Sequence, residues 1–233
     1  MCGRLTLAEE ARQLADDLAA QLEDEDAAHY RPRWNVAPTE LHWVVRQLTG
    51  RRRRLQPSRW GWRRAVKSAP GERPRERLIF NTVSETAFDK GLYRSALSNG
   101  RCVVPATGFY EWTGDARDRR PIHFRRRDGR LLLLAALVDE RGAFTVLTTA
   151  PNAEVRAVHD RMPAILERAD LDAWLERGGA ELLRPAPDGT LEGAPANPIV
   201  NRAGADGPDC LRAPDDDRGM QMALDLFRKR PSD

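Results

Sequence analysis

The chain has 233 residues and a formal net charge of +3, a length that fits one large domain with a sizeable core. Its longest apolar run, Leu131–Val138, is far shorter than the roughly 20 residues of a membrane span, and acidic clusters replace a signal-peptide pattern near the start. These features argue against a membrane protein, and we expect a cytoplasmic one. Neither the three cysteines nor the four histidines have the spacing typical of zinc sites, so we expect no metal and no cofactor.

Positive charge is concentrated in the middle of the chain. Between Arg46 and Arg130 there are 22 Lys/Arg and 8 Asp/Glu, whereas the rest of the chain has 16 basic and 27 acidic residues. Such asymmetry favours a polyanionic partner, most economically nucleic acid, because phosphate neutralisation drives non-specific affinity. The alternative is an arginine-rich composition whose charges lie on solvated faces.

The second residue of the chain is a cysteine. Removal of Met1 would leave Cys2 with a free α-amine beside its thiol, a 1,2-aminothiol. That group can form a Schiff base with an aldehyde through nitrogen and then close to a thiazolidine through sulfur. Because an α-amine has a reference pKa of about 7.7 to 8.0, roughly a tenth of it is unprotonated near neutrality. A nucleophilic terminus is one prediction, and an inert small second residue is the other.

The first half of the chain mixes helices and strands. The capping box Thr6–Glu9 and the apolar spacing that follows predict a helix from Leu7 to Leu22. Residues 41–48 and 55–62 read as the strands of a hairpin that turns at Thr49-Gly50-Arg51. A short helix is predicted over Thr86–Leu97, ending at Asn99-Gly100.

The second half is predicted to be strand-rich. The predicted strands are Arg101–Pro105, Gly108–Thr113, Ile122–Arg126, Arg130–Val138 and Ala143–Thr149, with the last three as a meander. Asn152 and Asp170 are expected to cap short helices, and residues 185–219 to form surface loops before an apolar patch, Met220–Phe227. We predict one α+β domain over residues 1–233, with a curved or barrel-like mixed or antiparallel sheet flanked by short helices.

Four short motifs in one order resemble a known family. They are Met1-Cys2-Gly3-Arg4, Arg33-Trp34-Asn35-Val36-Ala37-Pro38, Gly108-Phe109-Tyr110-Glu111-Trp112 and His159-Asp160-Arg161-Met162-Pro163, with a weaker fifth at Asn81-Thr82-Val83-Ser84-Glu85-Thr86. Their order and spacing resemble the SOS-response-associated peptidase (SRAP) family over residues 1 to about 180. Any one motif is weak, but five in order are strong.

The resemblance implies a function in the DNA damage response. Family members bind abasic sites in single-stranded DNA and join the ring-opened sugar aldehyde to the mature amino-terminal cysteine as a thiazolidine. By resemblance, Cys2 is the nucleophile, Asn81 and Glu111 line its pocket, and His159 assists ring opening. The family name also implies a peptidase activity, which we interpret as self-directed removal of residues before Cys2, and β-elimination from the Schiff base would make the protein a lyase. We expect a monomer, associated with the nucleoid when bound to DNA.

The residue types at several of these positions suit the implied roles. Glu111 lies on a strand beside aromatic residues, with Phe109 on its own face, which favours a partly desolvated carboxylate suited to proton transfer. An outward-facing glutamate is the alternative. For DNA, the predicted phosphate contacts are Arg4, Arg161 and some of Arg51–Arg64, the predicted stacking residues are Trp60 and Trp62, and the predicted apolar wedge is Pro38. The alternative for both tryptophans is core packing.

Three departures and two rival functions stay open. Val83 stands where the family motif has an arginine, Arg63-Arg64-Ala65-Val66 replaces an expected Pro-x-Trp segment, and the last 35 residues are unmatched. A glutamine amidotransferase would also mature to a terminal Cys-Gly, but its further Asn-Gly and Gly-Asp loop elements are not found. A non-catalytic single-stranded DNA binder, in which Cys2 is incidental, is the other rival.

Overall fold

The computed structural model describes residues 2–48, 50, 52–66, 75–115 and 118–214. The strands are β1 Leu5–Leu7, β2 Ala20–Gln21, β3 Arg33–Val36, β4 Leu41–Gln47, β5 Arg53–Trp60, β6 Trp62–Val66, β7 Arg75–Ile79, β8 Asn81–Val83, β9 Arg101–Ala106, β10 Gly108–Thr113, β11 Arg120–Arg126, β12 Leu132–Val138, β13 Ala143–Thr149, β14 Met162–Pro163 and β15 Leu191–Pro195. The helices are α1 Ala11–Asp17, α2 Asp24–His29, α3 Ser84–Ala87, α4 Arg94–Asn99, α5 Ala153–Arg156 and α6 Leu171–Glu176. Short 3-10 turns cover Gly91–Tyr93, Arg168–Asp170, Ala180–Leu182, Pro198–Asn201 and Pro208–Leu211. In this part of the chain, no helix has the length and apolar character that crossing a bilayer requires.

Two large sheets carry the fold. The five-stranded sheet has the order β15-β11-β10-β1-β3, and the eight-stranded sheet has the order β14-β13-β12-β9-β4-β5-β2 with β8 beside β13. A short parallel pairing of β13 with β5 closes β13, β12, β9, β4 and β5 into a ring. Most other pairings are antiparallel, and β6 and β7 form a separate hairpin. The predicted strand-rich α+β fold with a barrel-like mixed sheet is confirmed.

The apolar core has two main parts, and β12 separates them. Its residues 132–138 are buried on both faces, because alternate side chains enter different clusters. Leu132 and Leu134 join a cluster that also holds Leu5 and Phe109 of the five-stranded sheet, so this cluster lies between the sheets. Leu133 packs instead in a second cluster with residues of α1 and α6. The space between the sheets is therefore filled with buried side chains.

The first predicted helix is shorter than expected. Thr6 is not a cap: it lies in β1, where its hydroxyl contacts the hydroxyl of Thr107 at 2.9 Å and His123 Nε2 at 3.2 Å. Helix α1 begins only at Ala11, after Glu10, whose side chain makes no capping hydrogen bond. Strand pairing of β1 with β3 and β10 outweighs the local capping signal.

The other predicted elements are confirmed in part. The hairpin of β4 and β5, the pairing of β12 with β13 and the cap from Asn152 to Val155 N are confirmed. The predicted meander is wrong, because β11 pairs with β10 and with β15, which lies inside the predicted loop segment. Asp170 makes no capping hydrogen bond, and the helix predicted over Thr86–Leu97 is broken into separate turns. Thr49, Arg51 and the patch Met220–Phe227 lie outside the described residues.

Candidate active site

Cys2 precedes β1 and lies inside the cluster between the sheets. It is fully buried, its Sγ is 3.6 Å from the carbonyl oxygen of Arg4, and its own carbonyl oxygen accepts a 2.7 Å hydrogen bond from Asn81 Nδ2. Burial raises the pKa of the thiol, the charge of Glu111 adds to that rise, and the positive charge of the amino terminus opposes it. The thiol is therefore protonated at neutral pH in this environment.

Glu111 is brought to the same place by strand register. Leu5 of β1 pairs with Phe109 of β10, and side-chain alternation puts Glu111 on the face of Phe109, toward Cys2. Glu111 is only 2% exposed. Burial raises the pKa of its carboxyl to about 7, and the charges of the amino terminus and of Arg119 oppose that rise. A carboxyl with this pKa is divided between its two protonation states near neutrality, as a proton-transfer group requires.

Gly108 explains why β10 can approach β11 so closely. A Cβ at this position would lie 2.1 Å from His123 Nε2 and 2.6 Å from the carbonyl oxygen of Phe124. Burial lowers the pKa of His123 to about 4, so its ring is neutral where it contacts Thr6. The glycine that opens the Gly108–Trp112 motif thus has a packing role, while Glu111 of the same motif has a carboxyl whose pKa is raised by burial.

Asn81 holds the other side of Cys2. It begins β8, where it pairs with Val146 of β13 in a parallel register. Its Nδ2 donates to the carbonyl oxygen of Cys2, while its Oδ1 is buried and accepts no hydrogen bond from any described residue. The amide therefore fixes the backbone of Cys2 and retains one acceptor in the buried region around it.

His159 follows α5, and its ring nitrogens have distinct roles. Its Nδ1 accepts a 3.0 Å hydrogen bond from the backbone N–H of Arg161, so the neutral ring carries its proton on Nε2. Nδ1 also lies 2.9 Å from Asp160 Oδ1, a contact that suits the protonated ring. Burial lowers the pKa of His159, the charge of the amino terminus lowers it further, and Asp160 opposes both. The neutral ring is favoured at pH 7.

Arg161 is already engaged by a carboxylate. Its Nη1 and Nη2 donate to the two carboxylate oxygens of Glu85 at 2.8 and 2.7 Å, and Nη2 also donates to the carbonyl oxygen of Thr148 at 2.6 Å. This bidentate pair lowers the pKa of Glu85. Val83, which replaces the expected arginine, is exposed nearby on β8. A phosphate would have to share or displace the Glu85 contact to reach Arg161.

Arg4 and Pro38 are both partly exposed. Arg4 is half-buried, its Nη1 donates to the carbonyl oxygen of Gly3 at 2.8 Å, and burial lowers its pKa. Pro38 is half-exposed in a turn between β3 and β4, followed by Thr39 with a φ of 80°. A positive φ at a β-branched residue is costly, and the hydrogen bond from Thr39 N to the carbonyl oxygen of Trp60, 2.7 Å, helps to hold it.

Trp60 and Trp62 are not available for base stacking. Both side chains are fully buried. Trp60 stacks on Phe144 with ring centroids 6.0 Å apart, and its Nε1 donates to the carbonyl oxygen of Phe80. Trp62 packs against Tyr93 with ring centroids 5.5 Å apart. The stacking prediction is wrong for both residues, because Trp60 packs in the cluster between the sheets and Trp62 packs in the second cluster, with residues of α1 and α6.

Two groups of residues escaped the sequence-based reasoning. Asn35 is fully buried and donates to the carbonyl oxygens of Val200, Arg202 and Ala205, so the Arg33–Pro38 motif anchors the C-terminal segment. No sequence signal joins Asn35 to a segment 165 to 170 residues later. Arg119, which lies over the ring of Trp112, was also missed, because no motif includes it.

The arrangement suits nucleophilic chemistry at Cys2. The structure brings Cys2, Asn81 and Glu111 into one buried region. The charge of the amino terminus lowers the pKa of His159. Among the described residues, no three His, Cys, Asp or Glu side chains are grouped so as to hold a metal ion. What this region offers is the thiol of Cys2, a carboxyl that titrates near neutrality and a neutral imidazole.

Comparison with protein families gives a consistent match. A family model described as SOS response associated peptidase (SRAP) matches residues 1–203. The chain is 30% identical over 191 residues to the abasic site processing protein YoaM of Bacillus subtilis, covering 75% of this chain and 79% of that protein. It is 28% identical to YoqW of Bacillus subtilis, covering 91% and 100%, and 27% identical to YedK of Escherichia coli, covering 84% and 89%, both also named abasic site processing proteins.

Solved structures show the same fold. A protein from Bacteroides thetaiotaomicron superposes with a TM-score of 0.73 at 19% identity, covering 91% of this chain and 99% of the other. A phage-related protein from Bordetella bronchiseptica superposes with a TM-score of 0.64 at 23% identity, covering 83% and 93%. At these identities the likeness concerns the fold alone.

Proposed function

Because the chain belongs to the SOS response associated peptidase family, we propose that it processes abasic sites in single-stranded DNA. The proposed product is a thiazolidine between the mature Cys2 and the ring-opened sugar aldehyde. The observation that carries this proposal is the burial of Cys2 beside Glu111, whose carboxyl pKa is raised to about 7 by burial. Several relatives bear the name abasic site processing protein.

The proposed reaction needs no external reagent. The unprotonated α-amine of Cys2 adds to the aldehyde carbon and gives a carbinolamine. Glu111 donates a proton to the carbinolamine hydroxyl, which leaves as water and gives a protonated Schiff base. The thiol sulfur then adds to the same carbon while its proton passes to the Glu111 carboxylate. One water is released in total, and Glu111 ends in the protonated state in which it began.

The pKa shifts set the order of these steps. Burial raises the pKa of the Cys2 thiol, so the thiol is a weak nucleophile until a base removes its proton. An α-amine has an ordinary pKa of about 7.7 to 8.0 and is partly unprotonated at neutral pH. The amine therefore attacks first, and the Glu111 carboxylate is the base for the later addition of sulfur.

His159 and Asn81 are assigned supporting roles. The neutral ring of His159 carries its proton on Nε2, and we assign that N–H a hydrogen bond to the ring oxygen of the closed sugar. Ring opening breaks the C1–O bond, and the proton of the C1 hydroxyl moves to the ring oxygen and leaves the aldehyde. Asn81 fixes the carbonyl of Cys2, which orients the amine. Its buried Oδ1 is the acceptor that would hold the amine or a sugar hydroxyl.

The proposed partner is single-stranded DNA bound by a monomer. Arg4 and Arg161 are proposed phosphate contacts, and Pro38 is a proposed wedge on its strained turn. The proposal requires loss of Met1, and a self-directed peptidase step is one route to that loss. Cleavage of the strand by β-elimination from the Schiff base would compete with sulfur addition, since both start from the same intermediate.

An abasic-site oligonucleotide tests the proposal. We expect a complex that survives denaturation in SDS with a single strand and not with the intact duplex. Cys2→Ala and a variant with an uncleaved amino-terminal tag should both lose the band, because each lacks the aminothiol. An unchanged band in both variants would refute the assignment. Release of ammonia from glutamine without any adduct would instead support the amidotransferase rival.

A further inference from the structure

Arg119 and Trp112 form a fixed pair beside the candidate active site. Arg119 Cζ lies 4.9 Å from the centroid of the Trp112 ring, and Trp112 follows Glu111 on β10. Asn201 holds both partners: its Oδ1 accepts from Trp112 Nε1 at 2.7 Å, and its Nδ2 donates to the carbonyl oxygen of Arg119 at 3.1 Å. The exposed guanidinium is therefore supported by a cation–π contact and by a tethered backbone.

Arg4 lies on the same side of the sheet as this pair. Leu5 and Phe109 pair across β1 and β10 and enter the cluster between the sheets. One residue further, Tyr110 N donates to the carbonyl oxygen of Arg4, and Tyr110 packs with Trp112 on the outer face. The two arginines are close enough that the charge of Arg119 adds to the burial effect that lowers the pKa of Arg4.

Among the described residues, no carboxylate lies within ion-pair distance of either guanidinium. By contrast, Arg161 pairs with Glu85. Arg125 pairs with Glu192. Glu40, whose charge opposes the fall in the pKa of Arg4, is occupied by Arg33 at 3.0 Å and by the backbone N–H of Ala37. Two like charges near each other, neither of them in an ion pair with a described carboxylate, favour a bound anion between them.

We propose that Arg119, supported by Trp112, contacts a backbone phosphate of the bound strand together with Arg4. The identity of that anion as DNA rests on the proposed function. The planar guanidinium matches the geometry of phosphate oxygens. Arg119 is also close enough to Glu111 for its charge to oppose the rise in the carboxyl pKa, so a phosphate held by Arg119 would lie near the candidate active site. Arg119 is thus a binding residue and takes no part in proton transfer.

The test measures how salt weakens binding to a single-stranded oligonucleotide that carries a tetrahydrofuran abasic analogue. The analogue has no aldehyde, so binding is measured without any crosslink. Arg119→Ala should reduce the slope of log K against log salt by about 0.7 and weaken binding about fivefold at 0.1 M salt, as expected for one lost phosphate contact. Arg119→Lys should keep the slope because it keeps the charge.

Arg94→Ala is the matched control, since Arg94 is an exposed arginine on α4, which packs against the eight-stranded sheet. Its slope should equal that of the wild type. An unchanged slope in Arg119→Ala, or an equal fall in Arg94→Ala, would overturn the inference. So would a loss of affinity in Arg119→Lys at constant slope, which would indicate base stacking. If the wild type forms no crosslink but Arg119→Ala still lowers the slope, the proposed reaction fails and the phosphate contact stands.

Discussion

Two buried cysteines of this protein, Cys2 and Cys102, lie in the same core but differ in their neighbours and in their position in the chain. Both are fully buried in the cluster between the sheets, and burial raises the pKa of both thiols. Cys102 lies inside β9, where its carbonyl oxygen accepts a hydrogen bond from Trp174 Nε1 at 2.9 Å. Cys2 precedes β1 and has Glu111 and Asn81 around it.

The comparison shows that burial alone does not make a reactive thiol. A raised pKa makes each sulfur less nucleophilic at pH 7, so Cys102 is an ordinary core residue. At Cys2 the same burial also desolvates Glu111, which becomes a base that can remove the thiol proton near neutrality. Only Cys2 gains an α-amine when Met1 is removed. The proposed reactive site thus depends on the position of Cys2 in the chain and on a neighbouring carboxyl.

The largest expected effect concerns the rate of adduct formation. Glu111→Gln should slow the crosslink by about 100-fold, since a proton-transfer group contributes at least that much. Affinity for the tetrahydrofuran oligonucleotide should stay within about twofold of the wild type. Single-turnover kinetics and binding titrations measure the two quantities. Equal losses in rate and affinity would make Glu111 a structural residue, and the contrast with Cys102 would lose its chemical basis.

The next effect is on stability as a function of pH. The folded-state pKa of Glu111 is raised from 4.5 to about 7 by burial, so the unfolded chain ionises first as pH rises. Stability should therefore fall between pH 4.5 and 7 and stay lower above pH 7, a loss of about 2 to 3 kcal/mol. Glu111→Gln should remove this loss. Urea unfolding at pH 4.5 and pH 8 measures it, and an equal difference between variant and wild type at both pH values would contradict it.

Substitution of Cys102 should have a smaller effect, which concerns stability and not the crosslinking rate. Cys102→Ala removes a buried sulfur from the core and should lower the free energy of unfolding by about 1 to 2 kcal/mol. The crosslinking rate should not change, because Cys102 has no terminal amine. Denaturant unfolding and the abasic-site assay give the two readings. A crosslink that depended on Cys102 would mean that the wrong cysteine had been assigned.

The smallest effect lies at the surface beside the site. Glu85→Gln should free the Arg161 guanidinium from its bidentate carboxylate and raise affinity for single-stranded DNA about threefold at 0.1 M salt. The salt slope should rise by up to about 0.7. Glu192→Gln, which frees Arg125 on β11 instead, is the matched control. Equal gains in both variants would point to net charge and not to Arg161.

Local pattern predicted much of this fold and long-range contact decided the rest. Alternation along Gly108–Thr113 predicted that Phe109 and Glu111 lie on one face of the strand, and in β10 they do. The capping signal at Thr6 failed because β1 pairs with two strands from far along the chain. Trp60 and Trp62 are only two residues apart, yet they are buried in different clusters, a placement that alternation alone does not predict.

The candidate site divides in a similar way. Cys2, Glu111 and His159 were selectable by residue type and motif, and Asn81 only through the resemblance to a family. Arg119 had no motif to mark it, because its role depends on Asn201, which is 82 residues later in the chain. The engagement of Arg161 by Glu85 was equally invisible, since the two residues are 76 positions apart.

The central claim is that one residue supplies both bonds to the sugar, and trapping with borohydride tests it most directly. The wild-type adduct should survive SDS without reductant and should have the mass of the Met1-free chain plus the abasic oligonucleotide minus one water. Cys2→Ala with Met1 removed keeps an α-amine but no thiol, so it should give a stable adduct only after borohydride reduces the Schiff base. A wild-type adduct that also required borohydride would contradict the claim, because sulfur would then take no part.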